Sequence, residues 1–376
     1  MSPITRPRGS EGFPAEWKEI LDRIDRIDPI RYGTTRNHGD GAVSVLSPYI
    51  SRGVVSTRFV AERLRAVGYR TEDLTPFIQQ MAWREYFQRV WQERGDDLNH
   101  DLKHSSDHVV SSSMPRRLME GQTGIHSLDE MVNQLVTTGY MHNHYRLYLA
   151  SVACNVGQTA WYQPARWMYY HLLDADWASN ACSWQWVAGT FSSKRYCANQ
   201  DNINRFSSTS QRGTFLDLTY EDLMVADVPE LLRERCSPAL TTLLPEATSP
   251  EVRTERPTFI YTFYNLDPQW HSGEEGNRIL LLEPSYFNRY PVCERTMQFV
   301  LALSAMIPGI QVVVAEWDEF IRDARPGKVL YREHPANRHF RGDEEPREWL
   351  FPEVSGYYPS FFAYWKRCER LLRHHL

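Results

Sequence analysis

The sequence predicts a mainly α-helical protein that ends in a small α/β layer, and three observations carry that expectation. Helical periodicity dominates the first two-thirds of the chain. The composition shifts to Pro, Ser, Thr and Glu from about residue 226 ("PALTTLLPEATSPEVRTERP"), which marks a linker. Beyond it come the short apolar runs "FIYTFY", "RILLLE" and "IQVVVAE", the texture of strands. The expected organisation is a helical domain over 13–225, a linker over 226–256 and a small α/β domain with a closing helix over 257–376.

Taken in order, residues 14–31 and 56–96 carry helical periodicity with charges on one face. "SLDEMVNQL" after "GIH" predicts a helix opened by Ser127 with Glu130 in capping-box spacing. "TGYMHNHYRLYLAS" (138–151) places Asn143, Arg146, Leu147 and Ala150 on one side of a helix, and "LLDADWASN" (172–180) presents Asp174, Asp176 and Asn180 near a helix end. After the linker, the helical stretch "CERTMQFVLALSAM" lies between the second and third apolar runs, giving β-loop-β-α-β. "SFFAYWKRCERLL" predicts a closing amphipathic helix.

Composition narrows the function classes. The 376 residues, 42% hydrophobic and 24% charged, are enough for two domains and a sizeable core. Six cysteines without a C-x-x-C pair give no support to a zinc ribbon or a disulfide scaffold, and suggest reduced thiols in a cytoplasmic protein. The start "MSPITRPRGSEGF" has no apolar h-region and no run of 18 apolar residues occurs, so neither secretion nor membrane spanning is expected. A net charge of −5 argues against a broadly nucleic-acid-coating protein but leaves room for a local basic face. Phosphate loops, dinucleotide fingerprints, zinc-protease and esterase motifs are all missing. His142 and His144 form a bare H-x-H, for which a helix-surface pair is the simpler reading, and no metal is expected.

One segment is out of the ordinary. Trp161, Trp167, Trp177, Trp184 and Trp186, five of twelve tryptophans, fall within 26 residues and culminate in "NACSWQWVAGT". Together with "GQTGIHSLD", "TGYMHNHYRL" and "LLDADWASNACSWQWVAG", this segment resembles the flavin-binding helical domain of the cryptochrome and DNA photolyase family. "YGTTRNHGDGAVSVLSPYISRG" (32–53) and "MAWREYFQRVW" (81–91) are similar to that family's phosphate-binding loop and substrate-facing helix, in the family's order. The resemblance covers about residues 13–225. It implies an all-helical, photolyase-like FAD-binding domain, and, more weakly over 257–340, a shortened and permuted Rossmann-like α/β domain.

What the resemblance implies for individual residues is specific. FAD is the implied cofactor, with Asp174 and Asp176 at the pyrimidine edge and ribityl region, Arg146 holding Asp174, and Asn180 facing N5. Asn143 stands where the family's (6-4) enzymes place a histidine. Tyr32, Ser44, Leu46 and Ser47 match the pyrophosphate loop, with Val43 replacing the usual threonine. Trp184 and Trp161 match the proximal and middle members of an electron path whose third position falls near His108 and Val109. Trp177, Trp167, Tyr162 and Tyr169 offer other exits. Trp83 and Trp186 match the aromatic walls of a flipped-base pocket, beside Arg36, while Gln80 replaces the glutamate of cyclobutane-dimer enzymes. No iron–sulfur cluster is implied, and no antenna chromophore is identified. The implied activities are a light-driven lyase acting on UV-damaged DNA or a sensory cryptochrome with a protein partner; an FAD protein with dark chemistry is a third reading.

Overall fold

A computed structural model describes residues 12–375, so most of the leader-free start expected at residues 1–13 lies outside the described residues. The chain forms two compact units that do not follow sequence order. One comprises Ile30–Val43 and Arg94–Leu240 with the described residues up to Phe13; the other comprises Pro14–Pro29, Ser44–Glu93 and Thr241–Leu376.

The first unit is helical. Its centre is the helix Asn143–Ser151, which runs into a π-helical turn over Val152–Val156, and the helices Tyr162–His171 and Trp177–Ala188. Asp176 opens the last of these by accepting the Ser179 backbone N–H at 2.8 Å. Gly189 closes it with φ +83°, a left-handed cap that glycine adopts without a Cβ penalty. The glycine after the tryptophan pair is thus a stop signal.

Two expectations need correction here. The helix after "GIH" spans His126–Thr138, so Ser127 lies inside it and is not its cap. Asp129 does the tying instead, its carboxylate accepting from the Thr123 N–H and hydroxyl and from the Gly124 N–H at 2.7–2.9 Å. The segment after residue 226 is also not a free tether throughout. Arg235–Cys236 pairs with Met114–Pro115 as a short antiparallel ladder, and the Arg235 guanidinium donates to the Thr159 hydroxyl and the Gly157 carbonyl.

The second unit holds the sheet. Five parallel strands lie in the order Ile310–Val314, Asn277–Leu282, Thr258–Tyr261, Val329–Arg332, Asp343–Glu345, so the first strand in sequence is central and the order reverses beside it. All three apolar runs are strands, and the helix Glu294–Ser304 connects the second and third. One face of the sheet packs Ile260, Ile279, Leu281, Val313, Val329 and Tyr331 on Trp317, Phe320 and Phe340. The long helix Thr71–Arg94 and the closing helix Phe361–His375 belong to this unit for most or all of their length. Buried Glu85 joins them to the chain around Leu350. Its carboxylate accepts from the Thr57 hydroxyl at 2.5 Å, the Leu350 N–H at 2.6 Å and the Tyr364 hydroxyl at 3.4 Å, and burial raises its pKa. Among the described residues no helix is long and apolar enough to cross a membrane.

Candidate functional site

Within the helical unit, Asp176, Asn180 and Trp184 recur every four residues and so share one stripe of the Trp177–Ala188 helix. Asp174 precedes that helix and is 5% exposed at its side chain. Arg146, from the Asn143–Ser151 helix, reaches it at 3.0–3.1 Å and donates its Nε–H to the Met141 carbonyl at 2.8 Å. The result is an oriented, largely buried ion pair, in which loss of either partner strands a charge.

Asn180 is 8% exposed and donates its amide N–H to the Ala165 carbonyl at 2.8 Å. Because a carbonyl can only accept, that bond fixes the amide orientation and leaves Oδ1 as the acceptor presented by the side chain. On the same helix the Trp184 indole N–H and the Ser179 hydroxyl oxygen are buried without a protein partner.

The glutamine between the tryptophans serves the fold. Gln185 is fully buried, accepts the Leu102 N–H at 3.0 Å and donates to the Leu98 carbonyl at 3.1 Å, pinning the 98–102 loop to the helix. That loop carries Asn99 and Asp101, which accept the indole N–H groups of Trp177 and Trp161 at 2.9 and 2.8 Å. Trp161 and Trp177 lie 6.5 Å apart, and Tyr162 and Tyr169 meet Trp177 edge-on. Trp186 is 37% exposed beside Tyr196, whereas Trp167 is buried on His171. His108, at the expected third electron-path position, is half-buried and its Nε2 faces the Cys154 carbonyl at 3.1 Å.

Residues 77–218 match the family model described as the FAD binding domain of DNA photolyase. Over this stretch the chain is similar to the photolyase and cryptochrome family. It is 33% identical over 150 residues to a deoxyribodipyrimidine photo-lyase of Streptomyces griseus, covering 40% of this chain and 32% of that one. Over 203 residues it is 27% identical to a deoxyribodipyrimidine photo-lyase of Agrobacterium fabrum, covering 50% and 42%. Over 211 residues it is 29% identical to a cryptochrome DASH of Natronomonas pharaonis, covering 53% and 44%. A class III photolyase structure from Agrobacterium tumefaciens aligns with TM-score 0.44 and 25% identity over 53% of this chain and 43% of that one. The chain spans roughly a third to just under half the length of these relatives, which carry both family names.

The residues of this helical unit fit a flavin. An isoalloxazine has a ring N–H donor edge that a fixed carboxylate complements, and the unpartnered Trp184 N–H and Ser179 hydroxyl are polar atoms for which a bound molecule would supply partners. Tyr32 and Arg36 lie in the same unit; the Arg36 guanidinium donates to the Gly33 carbonyl at 2.7 Å and sits 6.0 Å from the Tyr32 ring. Asn143 is the first residue of its helix, behind an N-cap formed by His142.

Ser44, Leu46, Ser47, Gln80 and Trp83 belong to the other unit. Ser44 Oγ accepts the Leu46 N–H at 3.4 Å, Leu46 is buried, and Ser47 opens a short helix. Gln80 and Trp83 are half-buried on the Thr71–Arg94 helix, and Phe361 covers one face of Trp83 at 3.6 Å and 12° between planes. Sequence reasoning missed Val45, which sits in this loop at φ +52°. A β-branched residue held there costs about 1–3 kcal/mol, and such strain concentrates at ligand clamps; a sequence signal for that conformation would have been glycine.

The H-x-H pair was also more structured than a surface pair. His142 is 5% exposed; its Nδ1 accepts the His144 N–H at 3.2 Å, and His144 packs on Phe206 at 4.7 Å. Burial pushes both rings down to about 4. The unfolded chain, whose histidines titrate near 6.5, therefore binds more protons than the fold between about pH 6.5 and 4. Stability falls as pH falls through that window, by up to about 1.4 kcal/mol per pH unit for His142. His142→Asn keeps an N-cap acceptor and removes the titration, so melts between pH 7 and pH 4.5 should show a shallower loss than the parent's.

Proposed function

We propose that the protein binds FAD in its helical unit and acts as a photolyase-type lyase, using blue or near-ultraviolet light to split UV-induced pyrimidine lesions in DNA. The observation that carries the reading is the buried Arg146–Asp174 pair, followed six residues on by Asn180, whose amide orientation is fixed. The flavin, when bound, supplies light absorption and one-electron chemistry. The chain's residues bind and orient it. Arg146 holds the Asp174 carboxylate toward the N3–H edge, Asp176 lies toward the ribityl chain, and Asn180 offers Oδ1 to a proton carried at N5 without adding a negative charge. Within this unit Tyr32 serves the pyrophosphate, with Asn143 near the ring. Trp184 and Trp161 carry electrons inward. Exposed Trp186 is the stacking face for an extruded base, with Arg36 of the same unit as a phosphate contact. A cytoplasmic enzyme is the simplest version of this proposal.

A sensory cryptochrome role is the second reading, and one observation favours it: Phe361 already occupies a face of Trp83. Repair is tested by incubating reduced protein with a UV-damaged oligonucleotide under blue light and following lesion loss. Gln80→Glu restores the acidic group of the cyclobutane-dimer enzymes and should raise dimer repair above the parent's. If neither protein removes lesions or prefers damaged DNA, the repair reading falls and the sensory one stands.

A further inference from the structure

Trp161 and Trp177 are neighbours whose indole N–H groups meet chemically different partners. Trp177 donates to the Asn99 amide oxygen at 2.9 Å, and Trp161 donates to the Asp101 carboxylate at 2.8 Å. Trp161 is 4% exposed, whereas Asp101 is an exposed residue. One loop, pinned by Gln185, sets both contacts. An amide oxygen accepts a hydrogen bond but does not take up a proton near neutral pH; a carboxylate does both.

We propose that Asp101 is the proton acceptor for oxidised Trp161, which makes Trp161 the terminus of the electron path and removes the need for a tryptophan at the position of His108. The proposal rests on the reading of Trp184 and Trp161 as that path. One electron leaves the Trp161 ring for the hole on Trp184, whose own electron has gone to a photoexcited flavin as oxidant. Oxidation turns the indole N–H into a far stronger acid. The Nε1–H bond breaks with its electron pair left on nitrogen, and the proton joins an Asp101 carboxylate oxygen. The products are a neutral tryptophanyl radical and a carboxylic acid, which returns its proton to water from its exposed position. Proton loss traps the oxidised site on Trp161, because an electron coming back must now recover a proton as well. Trp177, 6.5 Å away, donates its N–H to an amide oxygen, which does not take up the proton, and the hole is not trapped there.

The test uses the full chain in two states. In FAD-free protein with ¹⁵N-labelled indoles, the Trp161 Nε1–H resonance should keep its position in Asp101→Asn, which retains an acceptor oxygen, and move upfield in Asp101→Ala. An unmoved resonance in Asp101→Ala overturns the proposal. In FAD-loaded protein, flash photolysis with transient absorption and electron paramagnetic resonance should show a neutral tryptophanyl radical in the parent. In Asp101→Asn the radical cation should persist, with charge recombination faster by at least about tenfold, the factor that 1.4 kcal/mol represents. Neutral-radical formation at the parental rate in Asp101→Asn overturns the role of Asp101 while leaving the electron path intact. A flavin that is photoreduced in the parent with no tryptophan radical, or not photoreduced at all, overturns the path itself and this proposal with it.

Discussion

Asp174→Ala is expected to yield protein that loses its flavin on purification, because the substitution removes a carboxylate serving two partners. Arg146 keeps its bond to the Met141 carbonyl, but its guanidinium, only 20% exposed, loses the carboxylate. Breaking a buried pair from one side typically costs about 3–5 kcal/mol, because the stranded charge has lost both water and its partner. The flavin ring would lose its acceptor at the same time. Retention should therefore fall by roughly two orders of magnitude or more, at 1.4 kcal/mol per factor of ten. The ratio of flavin to protein absorbance after gel filtration measures it, and a melt of FAD-free protein separates lost binding from lost stability. Asp174→Asn keeps an acceptor oxygen without the charge and should fall between the parent and the alanine variant. Full occupancy in Asp174→Ala would move the flavin elsewhere.

Gln185→Ala is expected to destabilise the helical unit although it touches no proposed ligand. The side chain is fully buried and uses both ends of its amide, accepting from Leu102 and donating to Leu98. Alanine leaves a backbone N–H and a backbone carbonyl without their partners, at about 1–3 kcal/mol each. A loss of roughly 2–4 kcal/mol follows, read as a lower melting temperature of the FAD-free protein. Gln185→Glu should be no milder: a carboxylate can still accept from Leu102 but cannot donate to Leu98 and brings a charge into the core. A parental melting temperature in both variants would show that the 98–102 loop is held by other contacts.

The sequence made the helical core of the site legible because chemistry and periodicity coincide there. Arg146, Asp174, Asp176 and Asn180 stand at helix starts or on helix faces, where spacing in sequence maps directly onto spacing in space. The strands "FIYTFY" and "RILLLE" were legible for a related reason, since parallel strands buried on both faces appear as unbroken apolar runs, and the edge strand "IQVVVAE" was legible from its β-branched residues. The strands Val329–Arg332 and Asp343–Glu345 were not, because the first is short and mixed in polarity and the second is an exposed acidic edge. Ser127 misled because its capping-box partner in sequence says nothing of Asp129 folding back onto Thr123. Trp83 shows the limit most clearly. Its position in a motif suggested an open stacking face, but Phe361 lies 278 positions further along the chain, and no local pattern announces their contact. Asp101 and Asn99 were invisible for the same reason: their role is defined by two indoles more than 59 residues away.

The interleaving of the two units has a bearing on synthesis. The chain passes from one unit to the other at five points, after residues 13, 29, 43, 93 and 240. When translation has reached residue 240, the helical unit has its whole sequence, but the sheet-bearing unit has only its first two segments. At about 5–20 residues per second, the remainder takes on the order of ten seconds to emerge. During that interval the Thr71–Arg94 helix has neither the Leu350 N–H for Glu85 nor Phe361 for Trp83. A nascent chain stalled there displays an apolar, charge-bearing surface that the finished protein conceals, and it is at this stage that a chaperone has most to hold.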